Sequence, residues 1–202
     1  MKSAANAPAG DNSEDSGENA RKTGPVLLRP DAVAERLSAV SLGDLAALGA
    51  AGVIVDLDNT LVGYRQDEPA EADVAWIAAA VAAGLKVALV SNNYGERVQR
   101  VSRILGVPAV AGALKPLPGG FLRALKMLGT PRQHTFVVGD QVFTDVLGAR
   151  LCGMRVILTH PLEPHDFGGT RVLRFLERLV PGARRPRSLI AEPVDPPERA
   201  DV

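Results

Sequence analysis

Short apolar runs alternate with amphipathic stretches through the middle of the chain. Val53-Ile-Val-Asp56, Val87-Ala-Leu-Val90, Thr135-Phe-Val-Val138 and Val156-Ile-Leu-Thr159 each give way to polar or glycine-containing sequence. Continuous apolar runs of this length suit strands buried on both faces of a parallel sheet. Val107 to Val110 is a weaker candidate. Helical spacing fills the intervals at 70–83, 95–105, 118–128 and 144–152, with 171–179 after the last strand. Gly84, Gly106, Gly129 and Gly153 each follow a helical stretch, where a left-handed C-terminal residue favours glycine. This alternation predicts an α/β fold, a doubly wound parallel sheet with helices on both faces.

Length and composition bound the rest. The 202 residues suit one domain with tails, and 46% hydrophobic content fills a core. The expected division is a disordered tail at 1–24, a domain at 25–183, and a basic then acidic, Pro-rich tail at 184–202. A single cysteine, Cys152, excludes an internal disulfide framework and a Cys-rich zinc site, and fits a reducing compartment. Residues 1–24 lack the apolar stretch of a signal peptide. Val74 to Val90 contains Gly84 and Lys86 and is short for a membrane span. The expectation is a soluble cytoplasmic protein without a transmembrane segment.

Lys plus Arg number 23, as do Asp plus Glu, so the formal net charge is zero. A neutral chain is a poor nucleic-acid binder, because such binding rests on phosphate neutralisation. The zero hides an uneven distribution. Residues 169–187 hold six Arg against Glu177, a net +5, while 188–202 hold four acids against one base, a net −3.

In open α/β sheets, ligands bind at the carboxyl ends of the strands. Those ends carry Asp56-Leu-Asp58-Asn-Thr60, Ser91-Asn92-Asn93, Lys115-Pro116 and Gly139-Asp140, with Thr144-Asp145 following. Asp56, Asp58 and Asp140 are hard oxygen ligands of the kind Mg²⁺ takes beside a substrate phosphate. A carboxylate there can attack phosphorus, and a second one two residues on can protonate the leaving alkoxide and then activate water. Ser91 and Asn92 can hydrogen-bond phosphoryl oxygens, and Lys115 can neutralise the transferring group. The chain has only five lysines, which sets Lys115 apart from routine surface charge.

These residues, in this order, resemble the four motifs of the haloacid dehalogenase-like (HAD) phosphatases. The resemblance implies that Asp56 is the nucleophile and Asp58 the general acid/base. It implies Mg²⁺ on Asp56, the Asp58 backbone carbonyl and Asp140, with Asp145 supporting the metal waters or orienting Lys115. Gly139-Asp-Gln-x-x-Thr-Asp145, the Leu28-x-Pro30 lead-in, and Pro161-Leu162 followed by Thr170-Arg171-x-x-Arg174-x-x-Glu177 are similar to the YqeG-type subfamily of subclass IIIA. Eukaryotic relatives of that subfamily dephosphorylate phosphatidylglycerophosphate, so the resemblance extends to a phospholipid head group at an anionic membrane surface. The intervals from Asp58 to Ser91 and from Lys115 to Asp140 each have room for one helix and one strand, so no large cap domain is expected and the site should be open.

Two other readings start from the same residues. A phosphatase of a soluble or macromolecular phosphoester shares all the chemistry. A phospho-accepting receiver or a silent binding module shares the fold class. In a receiver, however, the acid pair precedes the phosphorylated Asp by a whole strand. Elsewhere, Trp76 and Cys152 read as core, Thr144 as a cap or packing residue, His134 as surface or capping, and His160 as lying near the active edge. Arg97, Arg100 and Arg103 read as a solvated helix face.

Overall fold

The computed structural model describes residues 26–163. The expected tails, the helix at 171–179 and the arginines of 169–187 lie outside the described residues. Six strands form one parallel sheet: β1 (Ala32–Ala34), β2 (Gly52–Asp56), β3 (Lys86–Val90), β4 (Ala109–Val110), β5 (Thr135–Gly139) and β6 (Arg155–Thr159). Their order across the sheet is β1-β6-β5-β2-β3-β4. The chain therefore winds outward from β2 through β3 to β4, then crosses back to β5 on the other side of β2.

Side-chain alternation splits the strands between two cores. Val53, Val55, Val87, Leu89, Phe136 and Val138 face one layer, whereas Ile54, Ala88, Val90, Val137, Val156 and Leu158 face the other. The first layer is covered by α1 (Leu42–Ala47), α2 (Glu71–Ala82) and α3 (Glu96–Leu105). In α2, Asp73, Trp76, Ile77 and Ala80 form the buried stripe expected at helical spacing. The second layer is covered by α4 (Pro118–Leu128) and α5 (Leu147–Leu151), which bury Phe121, Ala124, Leu125 and Ala149. No helix among the described residues is long and apolar enough to cross a membrane.

The four strong strands and the helices at 70–83, 95–105 and 118–128 lie where the pattern places them, and the weak run contributes β4. Two elements escape the pattern. The three-residue β1 is too short to show a period. Its place is fixed by Asp31, whose carboxylate accepts Val156 N at 2.7 Å and pairs with Arg150 at 2.8 Å. Helix α1 is one and a half turns long and is started by Ser41, whose hydroxyl accepts Asp44 N at 3.1 Å. A third element differs in kind. The stretch expected as a helix at 144–152 opens as a π turn over Val142–Val146 before α5 begins. Such turns recur at functional sites, where they re-aim a side chain; here that side chain is Asp145.

Candidate active site

The winding reverses between β2 and β5, so their carboxyl ends open onto the crevice that such a reversal leaves. Asp56 ends β2 and Asp140 follows β5, both buried. Lys115 reaches in from the β4–α4 loop. Its Nζ donates to Asp56 Oδ1 at 2.6 Å and to Asp145 Oδ1 at 2.6 Å. Both Asp145 oxygens are used, because Oδ2 accepts Gln141 N at 3.2 Å and the Thr144 hydroxyl at 3.3 Å. Thr60 bridges the two strand ends, with its hydroxyl 3.3 Å from both Asp56 Oδ2 and Asp140 Oδ1.

The electrostatics follow from that crowding. Burial pushes the Asp56 carboxyl well above the ordinary carboxylate range, while the Lys115 ammonium pulls the other way. Burial disfavours the ammonium of Lys115 too, but the Asp145 and Asp56 carboxylates outweigh it and hold its pKa above that of an ordinary lysine. Oxygens of Asp56, Asp140 and Asp145 all lie within 4.8 Å of one another. One ammonium thus faces three buried carboxylates. A hard divalent cation is the group that oxygen donors so placed accept.

Asp58 stands apart from this cluster. Its carboxylate turns toward the β3 end, where Ser91 Oγ donates to Oδ2 at 2.6 Å. The Ser91 hydroxyl is itself fixed by Asn93 N at 3.0 Å. Asp58 Oδ1 is buried without a hydrogen-bond partner and lies 4.0 Å from the Arg97 Nε, which is also unpartnered. Asn92 is engaged on both sides of its amide. It accepts Lys115 N at 2.6 Å and donates to Lys115 O at 3.2 Å. That arrangement clamps the loop carrying Lys115, whereas the sequence suggested only a phosphate contact.

The structure therefore brings Asp56, Asp140, Lys115 and Asp145 into contact and sets Asp58 and Ser91 beside them. Other expectations resolve locally. His134 Nδ1 lies 2.7 Å from the Gly49 carbonyl, Trp76 is buried and donates to Val40 O, and Cys152 is buried. Arg97 is more than a solvated residue, since its guanidinium donates to the Gly63 carbonyl at 2.7 Å and sits against those of Val62 and Tyr64. Sequence reasoning gave no role to Thr60 or Asn59. The last has a positive φ of 65° and exchanges two side-chain hydrogen bonds with the Glu163 backbone. The signal for Asn59 was present in its residue type, which is among the few that tolerate that region.

The family description matching residues 44–153 is a haloacid dehalogenase-like hydrolase. "Probable phosphatase YqeG" of Bacillus subtilis (strain 168) is 34% identical over 151 residues, which cover 75% of this chain and 88% of that protein. The phospholysine phosphohistidine inorganic pyrophosphate phosphatase of Xenopus laevis is 37% identical over 54 residues, 26% of this chain and 20% of that protein. Among solved structures, a HAD family hydrolase from Deinococcus radiodurans R1 with bound phosphate and sodium is 18% identical. It covers 63% of this chain and 88% of that one, with a TM-score of 0.49.

Proposed function

The chain belongs to the haloacid dehalogenase-like hydrolases as a phosphatase of that family, and we propose that it is a Mg²⁺-dependent phosphomonoesterase working through an aspartyl-phosphate. The observation that carries the mechanism is the division of labour between two carboxylates two residues apart. Asp56 lies in the charged cluster against Lys115, while Asp58 faces away toward Ser91.

Asp56, Asp140 and the Asp58 backbone carbonyl would hold the cation, with Asp145 beside them. When bound, it supplies positive charge to a phosphoryl group and to the carboxylates around it. The chain's own residues then do the following. The Lys115 ammonium favours the ionised form of Asp56 against the effect of burial and aims the carboxylate, and the freer Asp56 oxygen attacks phosphorus. As the bond from phosphorus to the ester oxygen breaks, Asp58 gives its proton to the departing alkoxide. Ser91 and Lys115 donate to the phosphoryl oxygens as charge gathers there. Asp58, now a carboxylate, takes a proton from water as that water attacks the aspartyl-phosphate. Inorganic phosphate leaves and Asp56 is restored.

Asp56→Asn should abolish phosphate release with the fold intact. Full turnover by that variant would remove Asp56 from its role. Asp58→Asn should slow both half-reactions. Repeated release of phosphate also separates this reading from a receiver, which holds its phosphate.

The substrate we propose is phosphatidylglycerophosphate. The reading is supported by the short intervals around Ser91 and Lys115, which leave the site uncapped, and by the similarity to the YqeG-type subfamily. The arginines of 171–187 add a basic segment outside the described residues. Each base near an anionic surface contributes roughly 1 kcal/mol. Hydrolysis in anionic vesicles should exceed that of a soluble sugar or nucleotide phosphate and should fall with salt. The reverse preference would overturn the lipid assignment.

A further inference from the structure

The chain carries no Asp or Glu between Glu96 and Asp140, and seven bases lie in that interval. The stretch builds α3 beyond its first residue, Glu96, and then β4 and α4, so past Glu96 the β4 edge of the sheet carries no acid along its own backbone. The same edge collects exposed apolar side chains. Among the described residues, Tyr94, Leu114 and Leu117 are large exposed hydrophobics in the loops after β3 and β4, and Leu122 and Met127 continue along the outer face of α4. Scattered single residues of this kind need no explanation, but a concentration beside a catalytic loop does.

Leu114 is the most telling of them. It is 57% exposed, so core packing does not account for it. Its φ of 57° is a region that a branched aliphatic residue disfavours and that Asn or Gly enters readily. Neither burial nor backbone preference selects leucine there. Leu117 N donates to Leu114 O at 2.9 Å, closing a turn with Lys115 inside it. The turn that points Lys115 inward to Asp56 thus presents Leu114 and Leu117, the latter 60% exposed, side by side on the rim. Tyr94, 72% exposed, packs its ring over Gly112, where a Cβ would overlap it. Arg123 donates to the Gly112 carbonyl at 3.3 Å, which fixes its base beside that ring. Helix α4 buries Phe121, Ala124 and Leu125 and leaves Leu122, Arg123, Lys126 and Met127 outward with no acid among them. Among the described residues, acids stand toward α3, where Glu68 pairs with Arg100 and where Asp67 and Glu96 share a groove with Arg97 and Arg103.

We propose that the rim formed by Tyr94, the Leu114–Leu117 turn and the outer face of α4 docks on an anionic membrane surface. An aromatic ring and leucines interleaved with bases match the acyl–headgroup boundary of such a surface, and no carboxylate of α4 opposes it. Docking there sets the mouth of the crevice against the head groups. This deepens the lipid reading above and rests on it, but it is measured without turnover.

The full chain is sedimented with phosphatidylcholine vesicles with and without phosphatidylglycerol. Binding should require the anionic lipid and weaken between about 0.1 and about 0.5 M salt. The Arg123→Glu/Lys126→Glu variant should lose at least about tenfold in affinity. Leu114→Asn should lose about threefold or more while its unfolding midpoint stays level or rises, because Asn accepts the left-handed backbone. The Arg123→Glu/Lys126→Glu variant should hydrolyse p-nitrophenyl phosphate at the parent rate. Binding that persists in them belongs to another segment, such as the arginines of 171–187, and overturns the proposal, as does absence of binding in the parent chain. A parent dimer that Leu114→Asn converts to monomer, with no vesicle binding, makes the rim a protein interface and also overturns it. Vesicle binding without phosphatidylglycerophosphate hydrolysis removes the substrate assignment and leaves the docking face standing.

Discussion

Gly139 ends β5 directly before Asp140, and no side chain fits on its Cα. A Cβ there would lie 2.6 Å from the Asp145 Cβ and equally close to its Oδ2. The backbone at Gly139 is otherwise ordinary, so the requirement is space for Asp145 to fold back against the strand. Gly139→Ala should therefore push Asp145 off Lys115 and loosen the lysine's grip on Asp56. We expect kcat to fall by about 10²-fold or more, since misplacement of about 1 Å in such a site is that damaging. Phosphate release and a thermal melt on the same sample would check it, and parent-like turnover would show that Asp145 does not need that position. Asn92→Ala tests the other support of Lys115, the clamp on its backbone. It should lower kcat about tenfold or more with KM nearly unchanged, whereas a residue contacting only bound phosphate would raise KM instead. The sequence announced Asp56, Asp58, Ser91, Lys115 and Asp140 because chemistry restricts residue type at strand ends. Gly139 stood in the motif without its reason and the clamp by Asn92 was not legible, because space and backbone contacts leave no chemical signature in a single chain.

Among the elements, α2 carries a carboxylate into the first core layer. Asp73 is fully buried, and its two oxygens take Arg36 at 2.8 Å and Ser38 N at 3.0 Å. The contact ties the 3₁₀ turn at Leu37–Ala39 to the helix across 35 and 37 residues of sequence. Asp73→Ala would leave that N–H and the guanidinium without an acceptor. Because Arg36 is partly exposed, the loss should stay near about 2 kcal/mol. It should show as a lower urea midpoint at constant m-value, and an unchanged midpoint would mean that water replaces the carboxylate. The same long-range dependence explains which elements the pattern revealed. Strands such as Val53–Asp56 and helices such as Pro118–Leu128 carry their own periodicity. Strand β1 and the π turn at Val142–Val146 are set by partners far along the chain, namely Val156 for Asp31 and Lys115 for Asp145, while helix α1, capped locally by Ser41, is too short to show a period.

At the scale of the whole molecule, folding itself builds a site that could hold a cation. The reversal of winding at β2 and β5 gathers Asp56, Asp140 and Asp145 into a buried space that holds one ammonium. In the unfolded chain these carboxylates are hydrated and far apart. The native state alone brings them together, so a cation that binds there binds only the native state and raises global stability by mass action. At a hundred times its Kd the gain is about 2.7 kcal/mol. For a domain of this size that corresponds to roughly 5–10 °C in Tm. Thermal unfolding in Mg²⁺ against chelator should show a shift of that order. Asp140→Asn should behave in two opposite ways at once: it should melt higher than the parent in chelator, because one repelling charge is gone, and it should lose most of the Mg²⁺ shift, because a ligand is gone. A parent Tm indifferent to Mg²⁺, or an Asp140→Asn variant that keeps the whole shift, would place the cation elsewhere. The two-signed response sets a ligand apart from a merely structural carboxylate, whose removal would lower Tm in both solutions by the same amount.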